Sequence, residues 1–412
     1  MSKNARLAVV AWLLTAVYYF YQYVMRSSPA VMMNQLSEAF GLSALGVASM
    51  VGLFYYGYSP FSLVAGAALD RLGPRKVIPI GAIIVGAGAL LFSSGNHLAG
   101  SIGRFLQGAG GVFALIGAIY IASKNFPASR AATMIGATQM FGMAGGSAGQ
   151  FAVGPMISGG VSWHNFWLWM GIAGLALGII LWFMIPSDEA PKQKEDWLKS
   201  TGEAFKTVFK NPQSVLCGII AGLIFIPTTI FDMVWGVRFL QDAHGIDYST
   251  AVLRSASIPF GWIIGCPLLG YISDKIGKRK PVIFTGAAVL LACLVYILFS
   301  KTNLLPAFVP GIIAGIASGS AMLLYTVIKE ANPPHLGGTA TGVINFINFT
   351  FSALLGPVFA WMLTKTSGEG EELVHSNYQT AFLPLLFGVA LAILITLKLK
   401  ETGAAVKKNI NK

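Results

Sequence analysis

Residues 66–76 read GAALDRLGPRK, and residues 270–280 read GYISDKIGKRK. The Gly, the Asp, the cation after it, the second Gly and the closing basic pair stand in register, 204 positions apart (270 minus 66) in a chain of 412. Each copy closes one long apolar segment and opens the next, so each reads as a tight basic turn between two membrane helices. Gly73 and Gly277 supply the tolerance of positive φ that such a turn needs. Asp70 and Asp274, at the ends of their helices, can accept hydrogen bonds from the N-terminus of a neighbouring helix or from an arginine, a clasp able to open and re-form. Arg71, Arg75 and Lys76 hold the first turn on the positive side of the membrane, and Lys275, Lys278, Arg279 and Lys280 hold the second. A solvated turn that only fixes topology is the alternative for either copy alone. Two copies half a chain apart point to a duplicated unit.

Outward from the turns, the composition is that of a chain using lipid as solvent: 55% apolar residues, 11% charged, mean hydropathy +0.68. Cutting the apolar runs at charged, Gly and Pro breaks gives twelve spans, at about 7–35, 44–69, 77–94, 99–123, 130–156, 163–185, 214–240, 249–273, 281–300, 304–328, 336–364 and 377–398, each near the roughly 20 residues that cross a bilayer. The even-numbered turns and both termini hold 22 of the 28 Lys and Arg, so both termini are expected in the cytoplasm. The net charge of +12 therefore orients helices, and nucleic acid is not an expected partner. Cys217, Cys266 and Cys293 fall inside spans and read as packing residues. The first helix is expected to be retained, because no small-residue cleavage pattern follows it.

Further matches extend the repeat. Residues 40–43 correspond to 244–247, Thr133 to Gly136 correspond to Thr339 to Gly342, and Gly154-Pro155 correspond to Gly356-Pro357. The longest polar stretch, Ser187 to Gln213, is the seam. The expected organisation is an N-terminal six-helix bundle over 1–186, a cytoplasmic linker over 187–213 and a C-terminal six-helix bundle over 214–412. The back half of the linker, from Asp196 to Phe209, has amphipathic spacing and reads either as a helix lying on the membrane surface and coupling the halves or as a solvated connection.

The doubled turn resembles the signature loop of the major facilitator superfamily. The resemblance implies the fold class: an all-α membrane protein, with twelve transmembrane helices in two pseudo-symmetric six-helix bundles around a midplane site. Arg104 and Gln107, followed by Gly108, Gly110 and Gly111, resemble a second motif of that family, in which the Arg is tied to coupling and to hydrogen bonding between helices. An Arg inside a span is expensive unless paired or hydrated. In the fifth span the glycines that end in Gly154-Pro155 are similar to an exchanger motif, with Gln150 where its first Gly is expected; tight packing and a kink is the other reading. The end of the first span, Tyr18 to Met32, resembles the anion:cation symporter branch, where an Arg followed by Pro and Met belongs to the substrate site. Met25 stands here where that branch has an Asp.

Arg26 therefore reads either as a carboxylate ligand or as a side chain reaching to the outer interface. Asp232, the one carboxylate placed deep inside a span, reads as a proton carrier, as an ion-pair partner of Arg26 at nearly the same height, or as a site for an ammonium group. Tyr19, Tyr23, Tyr55, Asn345 and Asn348 are candidate substrate-binding residues. Asp232, Arg104, Gln107, Asp70, Arg71, Arg75, Asp274, Lys275 and Arg279 are candidates for coupling and gating. All five histidines fall in loops, and no metal-ligand cluster, nucleophile constellation or phosphate-cradling loop is present, so neither an enzyme nor a cofactor is expected.

The expected function is secondary transport by alternating access of a small anionic or zwitterionic organic solute (an organic acid, an amino acid or a short peptide), with protons as a candidate partner. An efflux antiporter and a non-transporting solute sensor on the same fold are the alternatives. A monomer in a bacterial inner membrane is the expected setting.

Overall fold

Both signature turns hold a glycine at positive φ, 75° at Gly73 and 68° at Gly277, and the chain reverses there between antiparallel helices. The computed structural model describes residues 3–186, 197–300, 306, 308–367 and 373–404; the front of the expected linker, residues 187–196, lies outside them. Twelve rods occupy the expected places: α1 (Lys3–Ser27), α2 (Ala44–Leu72), α3 (Pro74–Ser93), α4 (His97–Asn125), α5 (Ala131–Phe151), α6 (Trp163–Met184), α7 (Pro212–His244), α8 (Tyr248–Ile276), α9 (Lys280–Phe299), α10 (Val309–Glu330), α11 (Gly337–Ser367) and α12 (His375–Thr396). No strand occurs among the described residues, as expected where lipid offers the backbone no partner and each segment must satisfy its own hydrogen bonds. Local chemistry sets the ends. Ser43 caps α2 through the Gly46 amide, Ser162 caps α6 through the Asn165 amide, and Pro74 opens α3.

Ten rods are long and apolar enough to cross a membrane on length and composition alone. The other two, α2 and α5, are diluted with Tyr, Ser, Gly, Gln and Thr, and both pack across the seam: α2 against α11, and α5 against α8. The two crossings are built alike. A Cβ added at Gly136 would lie 2.2 Å from the Cys266 carbonyl oxygen, and one at Gly342 would lie 2.5 Å from the Ser62 carbonyl oxygen. These contacts are repeat equivalents, and each needs glycine for backbones to approach so closely.

Two helices break at corresponding places. After α1 the chain passes through a 3-10 turn, Ser28–Val31, and α7 runs as a π-helix over Pro227–Gly236. Pro29 and Pro227 each remove a backbone donor, and π-helical winding inside an α-helix tends to mark a functional position. Paired interruptions in the two halves point to the region between them.

The helix Trp197–Lys210 is tied to the C-terminal half at its end. Its Val208 is buried, and Phe209 meets Phe346 of α11 edge-on at 6.4 Å. Asn211 then donates to the Ala331 carbonyl at 2.8 Å. Of the amphipathic face found in the sequence, Val208 is buried, Phe205 is half-buried and Phe209 stays exposed.

Candidate functional site

The turns form clasps across the seam. Asp70, at the end of α2, accepts from the Gly338 amide (2.9 Å), the Thr339 amide (2.7 Å) and the Thr339 hydroxyl (2.8 Å) at the start of α11. Asp274, at the end of α8, accepts from the Thr133 amide (2.9 Å) and hydroxyl (2.7 Å) at the start of α5. Each carboxylate thus caps a helix of the other half, where the helix dipole favours negative charge. The second clasp is reinforced: Arg279 bridges Asp274 at 2.7 Å and Glu330 at 2.8 Å. Burial works against the Arg279 charge, but Glu330 and Asp274 outweigh it and lift the guanidinium above its ordinary range. A raised cation keeps its contribution as long as pH stays below its unfolded value, so this cluster holds through neutral and mildly alkaline pH. Arg75 and Lys275 are exposed on the turns, and Arg71 is half-buried beside them.

With the turn side clasped, a cavity of about 290 Å³ lies toward the opposite face, between α1, α2, α7 and α11. Arg26 and Arg104 both reach it, and among the described residues none that lines it is acidic. Arg26 is only 5% exposed. Its guanidinium carbon lies 4.7 Å from the Tyr23 ring centroid, 4.8 Å from Phe349 and 5.0 Å from Tyr55, within cation–π range. One donor, Nη2, reaches the Tyr55 hydroxyl at 3.3 Å, while Nε and Nη1 are buried without a protein partner. A boxed cation with idle donors beside open volume is a ready seat for an anion. Tyr55 in turn donates to the Thr229 carbonyl at 3.3 Å, inside the π-helical segment of α7.

Arg104 is structural as well as cavity-lining. It donates to Gln107 Oε1 at 2.6 Å and to the Met25 carbonyl, next to Arg26, at 3.3 Å. Gln107 is anchored on the Gly88 carbonyl at 3.1 Å. The other predicted residues stand one step back. Tyr19 bonds Gln139 at 2.8 Å and packs edge-on against Tyr23. Asn345 links Tyr325 to Ser62 across the seam, and Asn348 donates to the Tyr325 hydroxyl. Sequence reasoning missed Phe54, Phe349, Met233 and Trp235, because an aromatic or apolar residue in a span carries no mark that separates lining from packing.

Asp232 does not pair with Arg26. It faces the opposite side of α7, accepts from the Ser255 hydroxyl of α8 at 2.9 Å, and keeps its second oxygen buried without a partner. The residues around it, Ile230, Met233, Val234 and Trp235, turn to the Arg26 cavity, whereas Asp232 and Gly236 line a separate cavity of about 80 Å³. The reason is local winding: equal height in the repeat does not fix direction around a π-helical axis. Arg238 takes Asp242 instead, at 3.1 Å.

The family model described as Major Facilitator Superfamily matches residues 12–357. The chain is 22% identical over 366 residues to the cis,cis-muconate transport protein of Acinetobacter baylyi, covering 83% of this chain and 85% of that protein. It is 22% identical over 421 residues to the membrane sensor protein UhpC of Salmonella typhimurium, covering 94% and 90%. Among solved structures it resembles the proton:xylose symporter XylE, with a TM-score of 0.73, 16% identity and 97% of each chain covered.

Proposed function

We propose, for a chain that belongs to the Major Facilitator Superfamily, that it is a secondary transporter of small organic carboxylates with an apolar body. The observation that carries this reading is the pair of buried guanidiniums, Arg26 and Arg104, on one cavity where no acidic residue lines the wall among the described residues. A carboxylate entering there would meet the idle donors of Arg26 and offset the burial of its charge. The rest of the lining is mostly Met, Ile, Val, Ala, Pro and aromatic side chains, which suits hydrocarbon and offers the many hydroxyls of a sugar few partners beyond Ser49, Ser352, Tyr55 and Tyr56. An amino acid or peptide would bring an ammonium group with no carboxylate to receive it, so the zwitterionic part of the expectation is the less favoured. The muconate in the name of one relative is of the favoured class.

In this reading residues 1–186 and 214–412 are the two bodies that rock, and the charge bias of the loops puts the clasps in the cytoplasm of a bacterial inner-membrane protein with both termini inside. The clasped arrangement is then closed to the cytoplasm, and opening requires Asp70 and Asp274 to release Thr339 and Thr133. Protons are the proposed coupling ion, carried by Asp232. Thermal-shift screening of the purified protein against aliphatic and aromatic carboxylates, amino acids and sugars tests the substrate class. Stabilisation by carboxylates that disappears in Arg26→Ala is the expected result; stabilisation by sugars alone overturns it.

The likeness to a membrane sensor over 94% of this chain supports a second reading, solute binding without flux. Counterflow in liposomes separates the two, since a sensor binds but does not exchange.

A further inference from the structure

Away from the central cavity, a groove of about 390 Å³ runs along the outside of the C-terminal half between α8, α9 and α10. Leu269, Ile272, Val289, Ile313 and Ile316 form its walls, and Thr285 is the one polar side chain on them among the described residues. At one end the groove reaches Ile276 and Pro281, which flank the second signature turn, and Lys275 and Lys278 stand exposed there. We propose that the groove binds one anionic phospholipid of the leaflet that meets this turn, with an acyl chain lying between the helices and the phosphate seated on Lys275 and Lys278. The proposal stands apart from the transport reading, because it concerns a surface that faces lipid whatever the cargo.

The groove exists because the two halves close their helices differently. In the N-terminal half α3 meets α4 at two glycines: a Cβ at Gly81 would lie 2.6 Å from the Phe113 Cβ, and one at Gly88 would lie 2.6 Å from the Gly103 carbonyl oxygen. Glycine at such points lets helices lie flush. In the C-terminal half α9 carries a single glycine, Gly286, where an added Cβ would lie 2.4 Å from the Ser320 Cβ of α10. Gly286 is the floor of the groove, and beside it the larger side chains Thr285, Val289, Ile313 and Ile316 hold the helices apart. Ile272, Ile276, Val289 and Ile313 remain exposed along the rim.

Length and charge select the occupant. From Pro281 to Val289 the groove runs about 12 Å along α9 at 1.5 Å per residue, close to the roughly 15 Å of hydrocarbon in one leaflet. An acyl chain whose headgroup stays at the turn therefore fills it. The acidic residues near the turn are engaged inward: Asp274 by Thr133 and Arg279, Glu330 by Arg279, and Glu401 by the amides that open α9. Lys280 is turned to the Leu397 carbonyl. Lys275 and Lys278 are the exposed charges that remain in the turn, and two ammonium groups at the mouth of an apolar groove complement a phosphate carrying a chain.

The test uses the full-length protein, stripped of lipid in detergent, and reads binding by native mass spectrometry and by melting temperature. Dioleoylphosphatidylglycerol should be retained at one molecule per chain and raise the melting temperature, whereas dioleoylphosphatidylcholine at the same concentration should do neither. Lys275→Gln and Lys278→Gln should each weaken the apparent affinity about fivefold. Thr285→Trp, which fills the groove from its exposed side, should remove retention with both lysines in place; if that variant fails to fold, Val289→Phe on the rim makes the same test. An equal response to the two lipids reduces the groove to ordinary lipid contact and overturns the proposal. So does phosphatidylglycerol retention that survives both the lysine and the groove substitutions, and so does an equal response to glycerophosphoglycerol, the headgroup without chains. A dimer that disappears in Thr285→Trp would assign the groove to a second copy of this chain instead. None of these readouts involves carboxylate cargo, so failure here and failure in the thermal-shift screen of carboxylates are seen separately.

Discussion

Arg26 and Arg104 share one aromatic ring: their guanidinium carbons lie 5.5 and 5.4 Å from the centroid of Phe54. Two like charges around one side chain, with no acid lining the cavity among the described residues, are held there by cation–π contact and by the bonds that tie Arg104 to α1 and α4. Such an arrangement is poor for stability and good for receiving an anion. Arg26→Met should therefore raise the unliganded stability, by about 1–3 kcal/mol on the pattern of buried charges replaced by apolar side chains. It should also abolish stabilisation by any carboxylate. Melting curves with and without ligand check both halves, and a variant less stable than the parent would mean that Arg26 is structural.

The clasps predict a shift of conformational equilibrium. Asp70 makes three hydrogen bonds to the start of α11, and Asp274 makes two to the start of α5. Bonds to a charged group contribute about 1.5–3 kcal/mol each way of counting, so Asp70→Asn should raise the turn-open population about ten- to hundred-fold. Labelling of a cysteine placed on the turn-facing side of the cavity should accelerate accordingly. Thr339→Val should give a smaller change in the same direction.

Much of this is legible in the sequence. A charge inside an apolar span is expensive enough that few survive, so Arg26, Arg104 and Asp232 stand out against their surroundings, and the doubled turn marks the symmetry. The match of Thr133 with Thr339 was also readable, but not that these threonines are what Asp274 and Asp70 grip, because no local pattern encodes contact across a seam. Of the roles open to Asp232 in the sequence, the ion pair with Arg26 fails for a physical reason. An offset of 204 residues gives height along the membrane normal, whereas azimuth depends on winding, and α7 is π-helical where it matters.

The tail takes part in the second clasp. Glu401 accepts from the Arg279 amide at 2.6 Å and the Lys280 amide at 3.1 Å, capping α9, and Thr402 donates to Glu330 at 2.7 Å beside Arg279. Removing the cap in Glu401→Ala should cost about 1 kcal/mol and loosen Arg279 on Asp274. The first turn has no counterpart for Glu330, since the position 206 residues earlier is Lys124. Glu401→Ala should thus speed labelling near α5 more than near α11, and equal acceleration at both would contradict the link from the tail to this clasp.

Position 108 tests how the cage is held. A Cβ at Gly108 of α4 would lie 1.9 Å from the Phe54 carbonyl oxygen of α2, far inside contact distance, and the obstacle is backbone that cannot rotate away. Gly108→Ala must push α2 from α4, with an overpacking penalty of about 1–3 kcal/mol. The displaced turn carries Phe54 and Tyr55, two walls of the Arg26 cage. Ligand stabilisation should therefore fall along with the melting temperature, although the substitution adds one methyl group and touches no cargo. Gly111→Ala on the same helix comes closest to the Gln22 side-chain oxygen at 3.0 Å, where a side chain can shift, and meets Phe54 only at an ordinary 3.7 Å. That variant should keep its ligand response, and comparing the two separates helix spacing from a general sensitivity of α4.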